Sequence, residues 1–200
     1  MRRTLGIDLD NTIIDYSLAF SEIARVEYSQ INFGSLDKNH FKDELTRLLG
    51  EAEWTSCQSR LYGEYIQWAK PHDGFHEALE KIYKLGWIVK IISHKSQYSI
   101  SDNSINLRQP AFNWITEHVS SVFPIEFNPE HDVLFADSVT HKIRLIVETG
   151  CDAFIDDLQE ILLGLPMDVK KYWIFSNSHP SSPAIKCLPD WPSLDLNDFQ

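Results

Sequence analysis

Short apolar runs alternate with longer amphipathic segments along this chain. The apolar runs show little alternation with polar residues, which is typical of strands that are buried on both faces of a sheet. The predicted strands lie at residues 5–9, 87–92, 133–136, 153–155 and 172–175. Between them, apolar residues recur at helical spacing, as in residues 75–85. Strands that alternate with helices predict an α/β fold with a doubly wound parallel sheet.

The segment between the first two predicted strands is long and has a helical pattern. Its predicted helices lie at residues 13–26, 36–49 and 53–70, with a break at residues 32–35. A connection of this length exceeds the ordinary link between two elements of a compact domain. We therefore predict an α/β core made of residues 1–15 and 71–200, with a small all-helical insertion at residues 16–70.

The second half of the chain continues the alternation of strand and helix. Helices are predicted at residues 110–120, 139–149 and 158–163. Pro110 suits the first turn of its helix, and Gly150 and Gly164 are good helix ends. The tail from Ser178 is rich in Pro and Ser, so we expect it to be extended and packed over the core.

Composition restricts the partners and the cellular setting that this chain suits. Its 200 residues are 43% hydrophobic, which is enough for a sizeable core, and its formal net charge is −11. That acidity argues against nucleic acid or an anionic membrane as the main partner. Cys57, Cys151 and Cys187 are odd in number and far apart, as expected for reduced thiols in a cytoplasmic protein. The sequence makes no prediction of the oligomeric state.

Polar functional groups stand where several predicted strands end. These groups are Asp8 and Asp10, Ser93, and Asp156 and Asp157, with Lys142 in the first turn of a helix that follows another strand. The carboxyl ends of parallel strands meet at one edge of a sheet, so these side chains are expected to converge. Crowded carboxylates need a hard divalent cation, and an oxygen-rich site suits Mg²⁺. A metal beside a free carboxylate, a hydroxyl and an ammonium is a site for a phosphoryl group.

Four segments together resemble the motifs of the haloacid dehalogenase (HAD) superfamily of phosphohydrolases. Residues 8–12, Asp-Leu-Asp-Asn-Thr, are similar to its first motif, Asp-x-Asp-x-Thr. Residues 91–93 resemble the second motif, Lys142 the third, and residues 155–157 the fourth. The helical insertion resembles the C1-type cap of that superfamily. The resemblance implies a HAD-like Rossmannoid core and a phosphoric monoester hydrolase that acts on a small phosphorylated metabolite.

The resemblance also implies the roles of individual residues. Asp8 would be the nucleophile that forms an aspartyl phosphate, and Asp10 the general acid and base. Ser93 and Lys142 would bind the phosphoryl group. The magnesium ligands would be Asp8, the backbone carbonyl of Asp10, Asp156 and Asp157, the last directly or through water. Three further residues at strand ends could touch the substrate, although polar residues there are more often structural: His94, Lys95 and Asp137.

Alternative functions remain open at the level of the sequence. A phosphotransferase would pass the same aspartyl phosphate to an acceptor hydroxyl. A receiver-like regulatory module also uses clustered aspartates, a hydroxyl residue and a lysine, and Asp137 would then have to be the phosphate acceptor. The helical insertion and the late acidic pair have no place in such a module. A catalytically silent binding protein is the third possibility, because fold alone does not fix function.

Overall fold

A six-stranded parallel sheet forms the centre of the part of the chain that the structure describes. The computed structural model describes residues 2–33, 38–176 and 178–200. Its strands are β1 Thr4–Ile7, β2 Ile14–Asp15, β3 Lys70–Pro71, β4 Ile88–His94, β5 Val133–Ala136, β6 Ala153–Asp156, β7 Lys170–Ile174 and β8 Ile185–Leu188. The sheet has the order β5-β4-β1-β6-β7-β8, while β2 and β3 pair separately and antiparallel. The predicted parallel α/β sheet is confirmed.

The chain changes direction across the sheet at its central strand. From β1 it continues to β4 and β5 on one side, and it then crosses to β6, β7 and β8 on the other side. Doubly wound sheets bind ligands outside the carboxyl ends of their strands at such a reversal. In this protein the reversal lies between β1 and β6, so the carboxyl ends of these two strands mark the expected crevice.

Eight α-helices accompany the strands in the described part of the chain. They are α1 Ser17–Glu27, α2 Lys38–Leu49, α3 Glu51–Tyr62, α4 Phe75–Lys84, α5 Arg108–Ile115, α6 Pro129–Asp132, α7 Val139–Glu148 and α8 Gln159–Gly164. Helices α7 and α8 pack on the sheet, whereas α1, α2 and α3 pack on one another in the inserted segment. In α4 the buried residues fall at helical spacing, as its sequence predicts. The predictions for α4, α7 and α8 agree with the structure to within about two residues, the usual uncertainty of a helix end. Within the described ranges, every helix is too short or too polar to cross a membrane.

The inserted segment differs in detail from its prediction. Residues 13–26 do not form one helix, because Ile14 pairs with Pro71 in the β2–β3 ladder and α1 begins only at Ser17. The prediction that the segment holds no strand is therefore wrong at Lys70. The predicted helix at 53–70 is broken at Gly63, where α3 ends and a 3-10 turn, Glu64–Trp68, begins. The predicted start of the second helix at Leu36 lies outside the described residues, as does part of the predicted break at 32–35.

The second half of the chain also contains elements that its pattern did not reveal. The tail after Ser178 is not merely extended, because Ile185–Leu188 forms β8 beside β7. This strand is short, contains Lys186 and is flanked by prolines, so it lacks a long apolar run. The short helix α6 was also missed, and the Asn128 side chain caps it by accepting from the N–H of Glu130. The helix predicted at 110–120 begins at Arg108 and ends in a π-helical turn, Thr116–Ser120.

The tail is anchored beneath the loop that follows β1. Trp191 is buried, and its indole N–H donates to the carbonyl of Thr12 at 3.0 Å. Its ring also meets the Phe75 ring edge-on, with centroids 5.1 Å apart. A buried indole N–H requires a partner, so this bond fixes both the tail and the loop.

We predict that Gly6→Ala in β1 destabilises the protein. A Cβ at Gly6 would lie 2.4 Å from the Cδ2 of buried Phe154 and 2.9 Å from the Sγ of Cys151. Overpacking of this kind typically costs about 1–3 kcal/mol in the free energy of unfolding. Gly164→Ala is the matched control, because its added Cβ would meet only the Ile143 side chain, with the terminal Cδ1 at 2.4 Å and Cγ1 at 3.3 Å, and a side-chain end can move aside. Urea unfolding should show the larger loss for Gly6→Ala, and equal losses would contradict this account of the β1–β6 packing.

Candidate active site

The loop after β1 directs two carboxylates in different directions. The N–H of Asp8 still donates to the carbonyl of Ile155, at 2.9 Å, so the β1–β6 pairing continues one residue beyond the strand. The chain then turns, and the N–H groups of Ile13 and Ile14 both donate to the carbonyl of Leu9 at 3.0 Å. Asn11 has φ of +59°, a left-handed conformation that Asn tolerates better than most residues.

Lys142 joins the ends of β1 and β6 by two short ion pairs. Its Nζ donates to Oδ1 of Asp8 and to Oδ2 of Asp156, each at 2.6 Å. All three side chains are buried. Lys142 reaches them from the first turn of α7, where Ser138 caps the helix by accepting from the N–H of His141. Buried charges are stable only when they are paired and hydrogen-bonded, and this arrangement satisfies that condition.

The two carboxylates that Lys142 contacts belong to a cluster of three. One oxygen from each of Asp8, Asp156 and Asp157 lies within 4.8 Å of the others, the only such metal-sized group in the described part of the chain. The backbone holds the acidic pair in place: the N–H of Asp157 donates to Oγ1 of Thr12, and the N–H of Leu158 donates to Oδ1 of Asp156. Carboxylate oxygens at this spacing suit a hard divalent cation such as Mg²⁺.

The electrostatics of the cluster also fit an added cation. Burial and the charge of Asp8 raise the pKa of Asp156 to about 7. Burial and the charges of Asp8 and Asp156 raise the pKa of Asp157 to about 8. Burial raises the pKa of Asp8 as well, although Lys142 opposes the shift. Burial alone would lower the pKa of Lys142, but Asp8 and Asp156 raise it above its usual value. One ammonium thus faces three carboxylates, and a divalent cation would offset the excess negative charge.

Ser93 presents a buried hydroxyl near the end of the neighbouring strand β4. Ile7 of β1 is in register with Ile91, which places Ser93 beyond that pair toward the same sheet edge. Among the described residues, its Oγ has no hydrogen-bond partner. An unpaired buried hydroxyl is uncommon and calls for an explanation. An incoming anion would supply the missing acceptor.

The Asp10 carboxylate does not belong to the cluster of three. It accepts from the hydroxyl of Tyr16 at 2.5 Å and from the Nζ of Lys95, which lies 3.0 Å from Oδ1 and 2.9 Å from Oδ2. Lys95 is buried, and its ammonium lies 4.7 Å from the centroid of the Tyr62 ring. Burial and the charge of Asp10 raise the pKa of Tyr16 well above its usual value. The two carboxylates of the first motif therefore have different partners: Asp8 pairs with Lys142, and Asp10 pairs with Lys95 and Tyr16.

Sequence reasoning missed the two tyrosines beside Asp10. Tyr16 and Tyr62 contact each other, with ring centroids 5.1 Å apart, and both come from the inserted segment. Their sequence signal is an aromatic residue in a helical pattern, which does not distinguish a core residue from a site residue. Lys95, considered mainly structural from the sequence, is part of the site through its ion pair with Asp10.

The other two residues considered at the strand ends, His94 and Asp137, are exposed, and both line the cavity described below. The Asp137 side chain pairs with the guanidinium of Arg108, whose Nε donates to the carbonyl of Lys95 at 2.8 Å. A cavity of about 280 Å³ separates these strand ends from the inserted helix α3, and both Asp10 and Lys95 line it.

Comparison with known proteins places this geometry in a known fold. No family model and no curated protein matches the chain. A HAD-like hydrolase from Streptococcus pneumoniae matches it with 12% identity and a TM-score of 0.62, over 100% of this chain and 99% of that one. A protein named as a phosphatase from Clostridium difficile matches with 12% identity and a TM-score of 0.61, over 99% and 98%. The chain has the fold of the HAD-superfamily hydrolases.

A third match has a metal in its structure. The HAD hydrolase YfnB from Bacillus subtilis, bound to magnesium, is 12% identical with a TM-score of 0.54, over 96% of each chain. At these identities the likeness shows the fold, so the predicted HAD-like core is confirmed. The activity and the residue roles are taken up as proposals below.

We predict that, in chelator, the free energy of unfolding falls as the pH rises from about 4 to about 8. The carboxyls of Asp156 and Asp157 have raised pKa values in the folded protein, about 7 and about 8. They therefore bind more protons when folded, and the stability that they contribute is lost as the pH rises through those values. Asp157→Asn should match the wild type near pH 4 and exceed its stability near pH 8.

The surface variant Asp168→Asn is the control for this pH experiment, because Asp168 is exposed and precedes β7, whereas the cluster lies at the carboxyl ends of the strands. Its stability should follow the wild type at every pH. Melting curves across the pH range that run parallel for the wild type and Asp157→Asn would show that Asp157 carries no excess proton in the folded state.

Proposed function

We propose that this protein is a magnesium-dependent hydrolase of a small phosphorylated metabolite that acts through an aspartyl-phosphate intermediate. The observation that carries the proposal is the convergence of Asp8, Asp156 and Asp157 at the reversal point of the sheet, with Lys142 paired to the first two. The fold shared with proteins named as HAD hydrolases and phosphatases supports it. The three free thiols support a cytoplasmic setting.

Asp8 is proposed as the nucleophile. One of its oxygens forms a bond to phosphorus while the bond from phosphorus to the leaving-group oxygen breaks, and this gives an acyl phosphate on Asp8. The Lys142 ammonium orients the carboxylate, and the hydroxyl of Ser93 donates a hydrogen bond to a phosphoryl oxygen. Both groups are held in place before the substrate arrives, which is the usual source of electrostatic stabilisation in a transition state.

Asp10 is proposed as the general acid and base. It gives a proton to the departing oxygen and then takes a proton from the water that attacks phosphorus, which returns Asp8 to its free form. Tyr16 and Lys95 position its carboxylate. That carboxylate stands apart from the three-carboxylate cluster and lines the cavity.

The carboxylates of Asp8, Asp156 and Asp157, together with the backbone carbonyl of Asp10, are the proposed ligands of Mg²⁺. When bound, the ion supplies positive charge that offsets both the crowded carboxylates and the phosphoryl oxygens. The magnesium-bound structure of a protein with this fold supports the choice of ion.

Residues 16–70 are proposed to form a helical cap over a core of residues 1–15 and 71–200. Tyr16 and Tyr62, from the two ends of this segment, meet at Asp10 and Lys95. A cap in this position would exclude bulk water from the reaction. A phosphotransferase would use the same residues. The receiver-like alternative has less support, because its required acceptor, Asp137, is paired with Arg108 and lies outside the three-carboxylate cluster.

Asp8→Asn is predicted to abolish phosphate release while the protein stays folded. An amide is a far poorer nucleophile and a weaker ligand for a divalent cation than a carboxylate. Release of phosphate from p-nitrophenyl phosphate, with magnesium and with chelator, is the measurement. Asp132→Asn is the matched control, since Asp132 is in a different ion pair, 2.7 Å from Lys90, away from the cluster. Wild-type turnover by Asp8→Asn would refute the assigned nucleophile.

Asp10→Asn should lose activity in a way that depends on the leaving group. General acid–base catalysis contributes about 10²–10⁴-fold, and a good leaving group needs little protonation when it departs. Single-turnover phosphorylation should therefore be less impaired with p-nitrophenyl phosphate than with an alkyl phosphate. An equal loss on the two esters would show that Asp10 is not the acid.

A further inference from the structure

We infer that the leaving group of the substrate is small, uncharged and hydroxyl-bearing, as in the phosphate ester of a small polyol or sugar. This inference rests on the proposed function and concerns the cavity of about 280 Å³ between α3 and the strand ends. Asp10 lines that cavity, so the part of the substrate that receives its proton has to lie there.

The charges around the cavity are already balanced. Lys95 is paired with both oxygens of Asp10, at 2.9 and 3.0 Å. Arg108, beside the cavity, is paired with Asp137. Among the described residues that line the cavity, the remaining ionisable group besides tyrosine is His94, and it is exposed at the rim. A carboxylate or second phosphate in the leaving group would have to compete with Asp10 for Lys95.

The pairing of these charges disfavours a charged leaving group of either sign. An anionic leaving group would find Lys95 and Arg108 already paired with Asp10 and Asp137, and transfer of an anion from water without a free cation is costly. A cationic leaving group would likewise find Asp10 and Asp137 occupied by Lys95 and Arg108.

Neutral polar groups of the inserted helix face the same space. Gln58 and Tyr62 stand one helical turn apart on α3, both line the cavity, and Nε2 of Gln58 lies 3.3 Å from the hydroxyl of Tyr62. An amide and a phenol can each donate and accept, as the hydroxyl groups of a ligand do. Ile100 and Leu107 provide apolar surface for carbon atoms.

The size of the cavity and the rigidity of one wall limit the ligand further. Ser59 of α3 joins the hydroxyls of Ser99 and Ser101, at 2.5 and 2.9 Å, so the helix is bonded to the loop opposite it. A volume of about 280 Å³ lies near the lower end of ligand sites, which span about 300–1,000 Å³. The leaving group is therefore compact.

Two esters with the same three-carbon skeleton test the inference. Glycerol 3-phosphate ends in a hydroxymethyl group where 3-phosphoglycerate has a carboxylate. The wild type should show a value of kcat/KM at least about tenfold higher for glycerol 3-phosphate, in the range that a missing or wrong contact produces. Gln58→Lys adds a cation to the cavity wall and should shift this ratio toward 3-phosphoglycerate by about tenfold.

Gln67→Lys is the matched control, because Gln67 is exposed on the 3-10 turn of the same insertion and does not line the cavity. It adds the same charge and should leave the ratio unchanged. A wild type that hydrolyses p-nitrophenyl phosphate but prefers 3-phosphoglycerate, or treats the two esters alike, overturns the inference alone. No turnover of any of the three esters overturns the proposed function and the inference with it. If Gln58→Lys does not fold, the wild-type ratio of kcat/KM for the two esters alone tests the inference about the leaving group.

Discussion

The rest of the site depends on the two ion pairs that the buried ammonium of Lys142 forms. It lies 2.6 Å from carboxylates at the ends of two neighbouring strands, Asp8 after β1 and Asp156 in β6. Without it, two buried carboxylates would face each other with a third close by, and the folded chain would carry uncompensated charge in a medium of low polarity. In the proposed mechanism, the ammonium also orients Asp8 for its attack on phosphorus.

The topology of the sheet supplies this arrangement at the place where ligands bind. Parallel strands bring their carboxyl ends to one edge, and the reversal between β1 and β6 opens a crevice there. The three carboxylates outnumber the single ammonium, so the site keeps a deficit of positive charge. A bound magnesium ion would resolve that deficit, which links metal binding, stability and the proposed catalysis in one cluster.

Sequence reasoning predicted this cluster because its members follow predicted strands or begin a helix. It could not predict where the Asp10 carboxylate points, because that depends on the left-handed turn at Asn11 and on contacts with Tyr16 and Lys95 across the fold. The edge strand β8 was missed because Ile185–Leu188 is short and interrupted by Lys186. Such features are decided by tertiary contacts, whereas the central strands are visible in the local pattern.

Trapping the phosphorylated protein tests the central claim most directly. The Asp10→Asn variant should accept a phosphoryl group from p-nitrophenyl phosphate but hydrolyse it slowly, since the amide cannot deprotonate the attacking water. Rapid quenching, proteolysis and mass spectrometry should then find one phosphoryl group, on the peptide that contains Asp8 and absent when Asp8→Asn is added. A phosphoryl group on the peptide that contains Asp137, or turnover without a phosphorylated peptide at any time, would contradict the account.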